Sequence, residues 1–162
     1  MGQIACIDCC ILIWGIQKVA PDGRKEKVDQ TLNLLDRLLL EHASVIVPSV
    51  ILGEFLVRIP TIEHEENIHL IQKSFKIYPV DTNVAVHYAR IWNKHHQDDR
   101  DPDCTRVKMK IDFLVVAIAV ANKADVIYSE DPHIKKFAAG FVDVEDVPVI
   151  NYQLPLGINL LK

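Results

Sequence analysis

The sequence has no hydrophobic run long enough to cross a membrane. Its longest apolar stretch is Phe113–Ala121, nine residues bounded by Asp112 and Asn122, whereas a spanning helix needs about 20 apolar residues. No basic segment precedes the acid at Asp8, so a secretion signal is not predicted either. We therefore expect a cytoplasmic protein with no membrane partner.

Cysteine and glycine are scarce, with four and six residues among 162. Cys6, Cys9 and Cys10 lack the second cysteine pair that a zinc site of this kind needs, because Cys104 stands alone in an acidic stretch. Free thiols in a reducing compartment are the simpler interpretation. Neither G-x-G-x-x-G nor G-K-[ST] occurs, which argues against nucleotide-cofactor enzymes.

An excess of basic charge is also missing. The 18 Lys and Arg residues face 22 Asp and Glu residues, giving a net charge of −4, and nucleic-acid-binding domains are usually basic. If four carboxylates bound divalent metal, the remaining surface would be near neutral (−4 + 4 = 0). The 49% apolar and 25% charged residues are typical of a globular domain. We assign this domain to residues 1–150, followed by a C-terminal tail, 151–162.

Short apolar segments alternate with longer helical patterns along the chain. Strands are predicted at Ile4–Ile7, Val45–Val47, Lys76–Val80, Asp125–Tyr128 and Val147–Ile150. Helices are predicted at residues 9–17, 24–42, 50–59, 62–75, 83–95, 105–122 and 132–138. The order β-α-α-β-α-α-β-α-α-β-α-β indicates an α/β fold, a three-layer α/β/α sandwich around a mostly parallel sheet of four to five strands.

Four carboxylates occupy positions that this topology would bring together. Asp8 directly follows the first strand, and Asp131 comes just after the fourth. Glu54 lies about one turn into the helix after the second strand, and Asp112 begins the apolar half of the helix before the fourth. Because sites in parallel sheets lie beyond the carboxyl ends of the strands, these acids are expected at one edge.

The surroundings of these acids suggest a metal ion. Asp112 adjoins the apolar stretch Phe113–Ala121, and burying its charge requires a cation, a hydrogen-bond network or a proton. Asp8 and Glu54 have similarly apolar neighbours without an adjacent Lys or Arg. A shared Mg²⁺ or Mn²⁺ ion would balance the charge of all three carboxylates. Each acid taken alone could instead be a helix cap, a helix-terminal charge or a solvated side chain.

Four segments in this order resemble the PIN domain family, the fold of VapC-type toxin ribonucleases. The matching segments are Ile7–Ile11, Pro48–Glu54, Lys110–Ala119 and Val126–Asp131. The resemblance extends from residue 4 to about 138 and implies a Mg²⁺- or Mn²⁺-dependent nuclease. It also implies which residues are catalytic and bind the metal: Asp8, Glu54, Asp112 and Asp131. Ser129 matches a small hydroxyl residue two positions before the last acid.

The same resemblance implies an endoribonuclease that leaves 5′-phosphate and 3′-hydroxyl ends. It is expected to be the toxin of a toxin–antitoxin pair, with RNA as substrate, an antitoxin protein as partner and a homodimer as assembly. The alternatives are a PIN nuclease that is not a toxin and a catalytically silent PIN-fold domain that binds nucleic acid or protein. A signalling receiver is disfavoured because the first strand ends in a single Asp, whereas receivers carry paired acids there.

Some positions depart from the family pattern or leave a choice. Cys9 stands where the family often has Ser or Thr, and Glu130 competes with Asp131 for the last acid. We choose Asp131 because the Ser-x-Asp spacing matches, and because alternate side chains of a strand share a face. Lys108 is four residues before Asp112, so it could contact substrate phosphate or remain solvated. The His and Asp residues of 95–103 are interpreted as a solvated acidic loop.

Overall fold

The structure is a computed structural model that describes residues 2–95 and 106–149. The predicted acidic loop after His95, Cys104 and the predicted tail lie outside the described residues. The strands are β1 Ile4–Ile7, β2 Ser44–Pro48, β3 Lys76–Tyr78, β4 Val126–Tyr128 and β5 Asp143–Glu145. The helices are α1 Cys9–Leu12, α2 Glu26–Leu40, α3 Ser49–Leu56, α4 His64–Ser74, α5 Thr82–His95, α6 Arg106–Ala121 and α7 Pro132–Ala138. A π-helical turn, Ile13–Gln17, continues α1, and a 3-10 turn, Thr61–Glu63, precedes α4.

The five strands form one sheet in the order β3-β2-β1-β4-β5. Every strand pair among the described residues is parallel, and Ala5 in the central strand pairs with Val45 on one side and Val126 on the other. The predicted α/β sandwich with a parallel sheet is therefore confirmed. The chain winds outward from β1 in both directions, so the crevice beyond the carboxyl end of β1 is the expected place for a site.

The core lies where β1 and α6 pack. Ala5, Cys6 and Ile7 are fully buried, as are Phe113 and the run Val115–Ala119. The Phe113 ring meets the Phe137 ring of α7 edge to face, with 4.5 Å between centroids. The apolar half of α6 is thus a core helix, as its sequence predicts, and Asp112 is held at the beginning of this buried segment.

The last strand is not where the sequence placed it. The prediction of a fifth strand at Val147–Ile150 is wrong, because β5 is Asp143–Glu145 and Val147–Val149 form no strand. Val147 is buried by packing rather than by strand pairing. Asp143 and Glu145 are exposed on this edge strand, and such polar edges give little hydrophobic signal.

Helix α2 packs through a face that is rotated from the predicted one. The helical spacing of Val28, Leu32, Leu35 and Leu39 in the sequence predicts an apolar stripe through these residues, whereas the buried leucines are Leu34, Leu35 and Leu38. Gly15 of the π-helical turn allows close approach here, because a Cβ at this position would lie 2.6 Å from Leu35 Cδ1. None of the helices within the described ranges is long and apolar enough to span a membrane.

Candidate active site

Four carboxylates from four separate segments line one cleft of about 740 Å³. Asp8 follows β1, Glu54 lies in α3, Asp112 lies in the second turn of α6, and Asp131 is the N-cap of α7. We call this space the acidic cleft. The structure therefore brings together all four of the acids that the sequence singles out, at the carboxyl ends of the central strands.

Ser129 connects the first and last acidic segments. Its fully buried hydroxyl donates to Asp8 Oδ2 at 2.6 Å and accepts from the backbone N–H of Asp131 at 3.1 Å. The backbone N–H of Cys9 donates to Asp8 Oδ1 at 2.7 Å. Burial raises the pKa of Asp8, and the hydrogen bonds from Ser129 and Cys9 oppose that effect. These contacts fix the orientation of the Asp8 carboxylate.

The Cys9 side chain makes a different contribution from the hydroxyl residue that the family often has there. Burial, followed by the charge of Glu54, raises the pKa of the Cys9 thiol to about 12. The thiol therefore stays protonated at neutral pH and adds no charge to the cleft. It is the backbone of this residue, not the thiol, that holds Asp8.

Asp112 is the most buried of the four acids. Its side chain is 7% exposed, and Oδ2 has no hydrogen-bond partner among the described residues. Burial, reinforced by the charge of Asp131, raises the pKa of Asp112 to about 7. A buried carboxylate oxygen without a donor is costly unless it binds a proton or a cation.

Asp131, in contrast to Asp112 Oδ2, has partners among the described residues. Its Oδ2 lies 2.9 Å from the Lys108 ammonium, and its Oδ1 accepts from the backbone N–H of His133 at 2.8 Å. Partial burial alone would raise the pKa of Asp131, but the contacts with Lys108 and His133 outweigh it and lower the pKa. Lys108, for which the sequence predicts either a phosphate contact or a solvated side chain, thus pairs with one of the four acids.

Glu54 and Glu130 occupy different environments around the cleft. Glu54 is exposed, and desolvation together with the charge of Asp8 raises its pKa. Glu130 forms ion pairs with Lys27 and, at 3.8 Å, with Arg24. The predicted strand alternation of Ser129 and Asp131 is wrong, since β4 ends at Tyr128 and both acids follow it. Glu130 and Asp131 differ because Glu130 forms these ion pairs, whereas Asp131 caps α7.

His133 is a site residue that sequence analysis missed. One ligand atom each from Asp112, Asp131 and His133 lie within 4.8 Å of one another. The only sequence signal is a histidine two residues after the last acid, in the first turn of a helix that Pro132 begins. Two carboxylates, one with an oxygen that has no donor among the described residues, provide ligands that fit a divalent cation.

The walls of the acidic cleft combine cationic and apolar side chains. Arg24, Arg58 and Lys108 line it beside Ile13 and Trp14. Trp14 is only 5% exposed, which makes it a core residue that forms part of the wall. The cleft can therefore hold a cation at its acids and contact an anion through its basic residues.

Comparisons with known proteins agree with this architecture. The family model described as PIN domain matches residues 5–140. The chain resembles a solved chain of VapBC2 from Rickettsia felis bound to a DNA fragment from their promoter, with 16% identity and a TM-score of 0.64. It also resembles one of VapBC-1 from nontypeable Haemophilus influenzae, with 12% identity and a TM-score of 0.63. Each match covers 89% of this chain and 98% of the other.

No curated protein matches the sequence. At identities this low, the two structural matches show a shared fold and no more. The family model is a separate finding and spans most of the sequence, from β1 through α7. The chain therefore belongs to the PIN domain family.

Proposed function

We propose that this protein is a metal-dependent endoribonuclease. The observation that carries the proposal is the convergence of Asp8, Glu54, Asp112 and Asp131 on one cleft, with Asp112 Oδ2 buried and lacking a donor among the described residues. Acids gathered at such a cost in solvation mark functional sites more often than structural ones. The PIN domain assignment supports the same class of activity.

The four acids are the proposed catalytic and metal-binding residues. Asp112 and Asp131 would hold Mg²⁺ or Mn²⁺, and Asp8 and Glu54 would complete the acidic set. When bound, such an ion lowers the pKa of water, orients a phosphate and offsets its charge. Ser129 supports the site by holding Asp8 through the 2.6 Å hydrogen bond.

The cationic residues of the cleft suggest how RNA is bound. Arg24, Arg58 and Lys108 stand beside the acids, where guanidinium and ammonium groups can contact backbone phosphates. The net charge of −4 does not oppose this role, because the four site acids account for four negative charges. The proposed products carry 5′-phosphate and 3′-hydroxyl ends.

The toxin role is a further part of the proposal. Both structural relatives named above come from VapBC complexes, and by analogy we propose an antitoxin partner for this chain. The proposed homodimer rests on the PIN domain resemblance alone. The buried leucines of α2 contribute to the core of the protomer, so a dimer would use another surface.

Cleavage of single-stranded RNA in vitro tests the nuclease proposal. We expect cleavage with Mg²⁺ or Mn²⁺ and none with EDTA. Asp112→Asn and Asp8→Asn should each lower the rate by about two orders of magnitude, whereas Asp143→Asn, at an exposed acid of β5, should not change it. Equal rates for all three variants, or cleavage in EDTA, would refute the proposal.

Expression in bacteria separates a toxin from another PIN nuclease. The wild-type chain should arrest growth, and Asp112→Asn should relieve the arrest at equal protein level. Co-expression of the product of an adjacent small reading frame should also restore growth. A chain that cuts RNA in vitro but is tolerated at high expression would be a PIN nuclease without a toxin role.

A further inference from the structure

We infer that His133 is a third ligand of the cation site, and that this nitrogen ligand makes the site favour a first-row transition ion such as Mn²⁺ over Mg²⁺. The inference rests on the metal site of the proposed function and extends it to ligand set and metal preference. It does not depend on the nature of the substrate.

Geometry provides the first support. The ligand atoms of Asp112, Asp131 and His133 all lie within 4.8 Å of one another, a spacing that allows one ion to contact all three. His133 Nδ1 lies 3.2 Å from Asp131 Oδ1. The imidazole of His133 thus lies directly beside the Asp131 carboxylate.

The partners around this group provide the second support. Asp112 is more than nine-tenths buried, and its Oδ2 has no hydrogen-bond partner in the part of the chain that the structure describes. The Lys108 ammonium lies 2.9 Å from Asp131 Oδ2 and 3.4 Å from His133 Nδ1. The Lys108 ammonium therefore lies close to both a carboxylate oxygen and an imidazole nitrogen. A metal cation at this position would contact both kinds of ligand.

The His133 side chain is also held in place. It is 13% exposed, and its ring stacks on Phe137 with 6.2 Å between centroids and 29° between planes. Its backbone N–H donates to Asp131 Oδ1. An imidazole fixed in this way loses little side-chain freedom on binding an ion, which favours its use as a ligand.

Ligand chemistry then determines the metal preference. Mg²⁺ is a hard ion that takes oxygen ligands and keeps several waters. First-row transition ions accept imidazole nitrogen more readily than Mg²⁺ does, and Mn²⁺, which also suits carboxylate ligands, is the first member of that series. A site with two carboxylates and one imidazole should therefore bind Mn²⁺ more tightly than a site formed by carboxylates alone.

Pulsed electron paramagnetic resonance on the RNA-free full chain tests the nitrogen ligand directly. The Mn²⁺-loaded wild-type protein should show ¹⁴N modulation in its electron spin echo, and labelling with ¹⁵N-histidine should convert it to ¹⁵N modulation. His133→Phe, which keeps a ring against Phe137, should abolish the signal. His69→Phe, at an exposed histidine of α4, should retain it.

Calorimetric titration of Mn²⁺ and of Mg²⁺ tests the preference. His133→Phe should weaken Mn²⁺ binding by about tenfold or more and leave Mg²⁺ binding nearly unchanged. His133→Asp, which supplies an oxygen ligand, should strengthen Mg²⁺ binding and reduce the Mn²⁺-to-Mg²⁺ affinity ratio. A wild-type protein without histidine modulation, or a ratio unaffected by all changes at His133, would overturn the inference.

The two proposals fail in different ways. Nitrogen modulation from His133 without RNA cleavage would support this ligand set and refute the nuclease function. Metal-dependent RNA cleavage without histidine modulation would support the nuclease and refute the role of His133. The isotope experiment uses unaltered protein, so it gives a result even if a His133 variant fails to fold.

Discussion

Burial of Asp112 disfavours its charged form relative to its protonated form. With Oδ2 lacking a donor among the described residues and the pKa raised to about 7, the folded protein holds a proton on this group that the unfolded chain releases near pH 4. The folded state therefore binds more protons than the unfolded state between these values. The free energy of unfolding must fall as the pH rises through this range.

Asp112→Asn should remove this pH dependence in the metal-free protein. Near pH 3 the variant and the wild type should be almost equally stable, because the carboxyl is then mostly neutral in both the folded and the unfolded state. At pH 8.5 the variant should be more stable by roughly 2–4 kcal/mol. Urea unfolding in EDTA across this pH range measures the difference. A variant that is less stable at pH 8.5 than the wild type would contradict the burial argument.

The ion pair of Lys108 with Asp131 should compete with the metal. Removing the ammonium leaves Asp131 Oδ2 free to bind a cation, so Lys108→Met should tighten Mn²⁺ binding about two- to fivefold. RNA cleavage by the same variant should fall if Lys108 also contacts phosphate. Calorimetry gives the affinity.

Lys135→Met is the matched control for this change. Lys135 forms a comparable exposed ion pair with Asp146 at 2.7 Å, outside the acidic cleft. Its loss should leave Mn²⁺ affinity unaltered. Weaker Mn²⁺ binding by Lys108→Met would show that the ammonium organises the site rather than competing for it.

At the level of elements, helix ends and short loops place the site. Asp131 caps α7 through the backbone N–H of His133, and Ser129 in the same loop reaches across to Asp8 after β1. Helix α6 carries Asp112 and Lys108 one turn apart. Its C-terminal half, from Phe113 onward, is buried in the core. A core helix and two strand ends therefore hold Asp112, Asp8 and Asp131 at the cleft, although Asp112 Oδ2 has no partner among the described residues.

The contact between α2 and the π-helical turn depends on the absence of a side chain at Gly15. A Cβ there would lie 2.6 Å from Leu35 Cδ1 and 3.4 Å from Thr31 Cγ2, and both of these residues are buried. Gly15→Ala should therefore lower the free energy of unfolding by about 1–3 kcal/mol.

Gly53→Ala is the control for the intrinsic effect of alanine. A Cβ at Gly53 in α3 has no atom of the described residues within 4 Å, so this substitution should stabilise the protein by roughly 0.5–1 kcal/mol. Urea unfolding of both variants measures the contrast. Equal stability of the two variants would show that Leu35 moves aside without cost.

For the whole molecule, the cation should act as a stabilising ligand of the folded state. The acids gather only on folding, so the unfolded chain has no comparable site. At a free Mn²⁺ concentration of about 100 Kd, the expected gain is about 2.7 kcal/mol, or roughly 5–10 °C in the melting temperature of a chain of this size.

The double variant Asp112→Asn, Asp131→Asn should lose this gain. Melting curves with Mn²⁺ and with EDTA measure it, and Asp143→Asn serves as the control at an exposed acid outside the cleft. An equal rise in the melting temperature of the double variant would place the stabilising ion elsewhere on the molecule.

The sequence by itself determined the layered fold and the group of acids. Alternating apolar strands and helices predict a parallel sheet, and in such a sheet Asp8 and Asp131 must emerge at the same edge as Glu54 and Asp112. The fold can be predicted because the burial of apolar faces is the main driving force of folding. The spacing of apolar residues that produces these faces can be read from short stretches of sequence.

Only the tertiary structure decided the contacts around the acids, the edge strand and the buried face of α2. Whether His133 lies beside Asp112, whether Lys108 pairs with Asp131, and whether Ser129 reaches Asp8 across 121 residues of sequence depend on distances between remote segments. Polar contacts of this kind act only over a few ångströms and leave no periodic signal. The polar strand Asp143–Glu145 is likewise selected by an open sheet edge rather than by its own hydrophobicity.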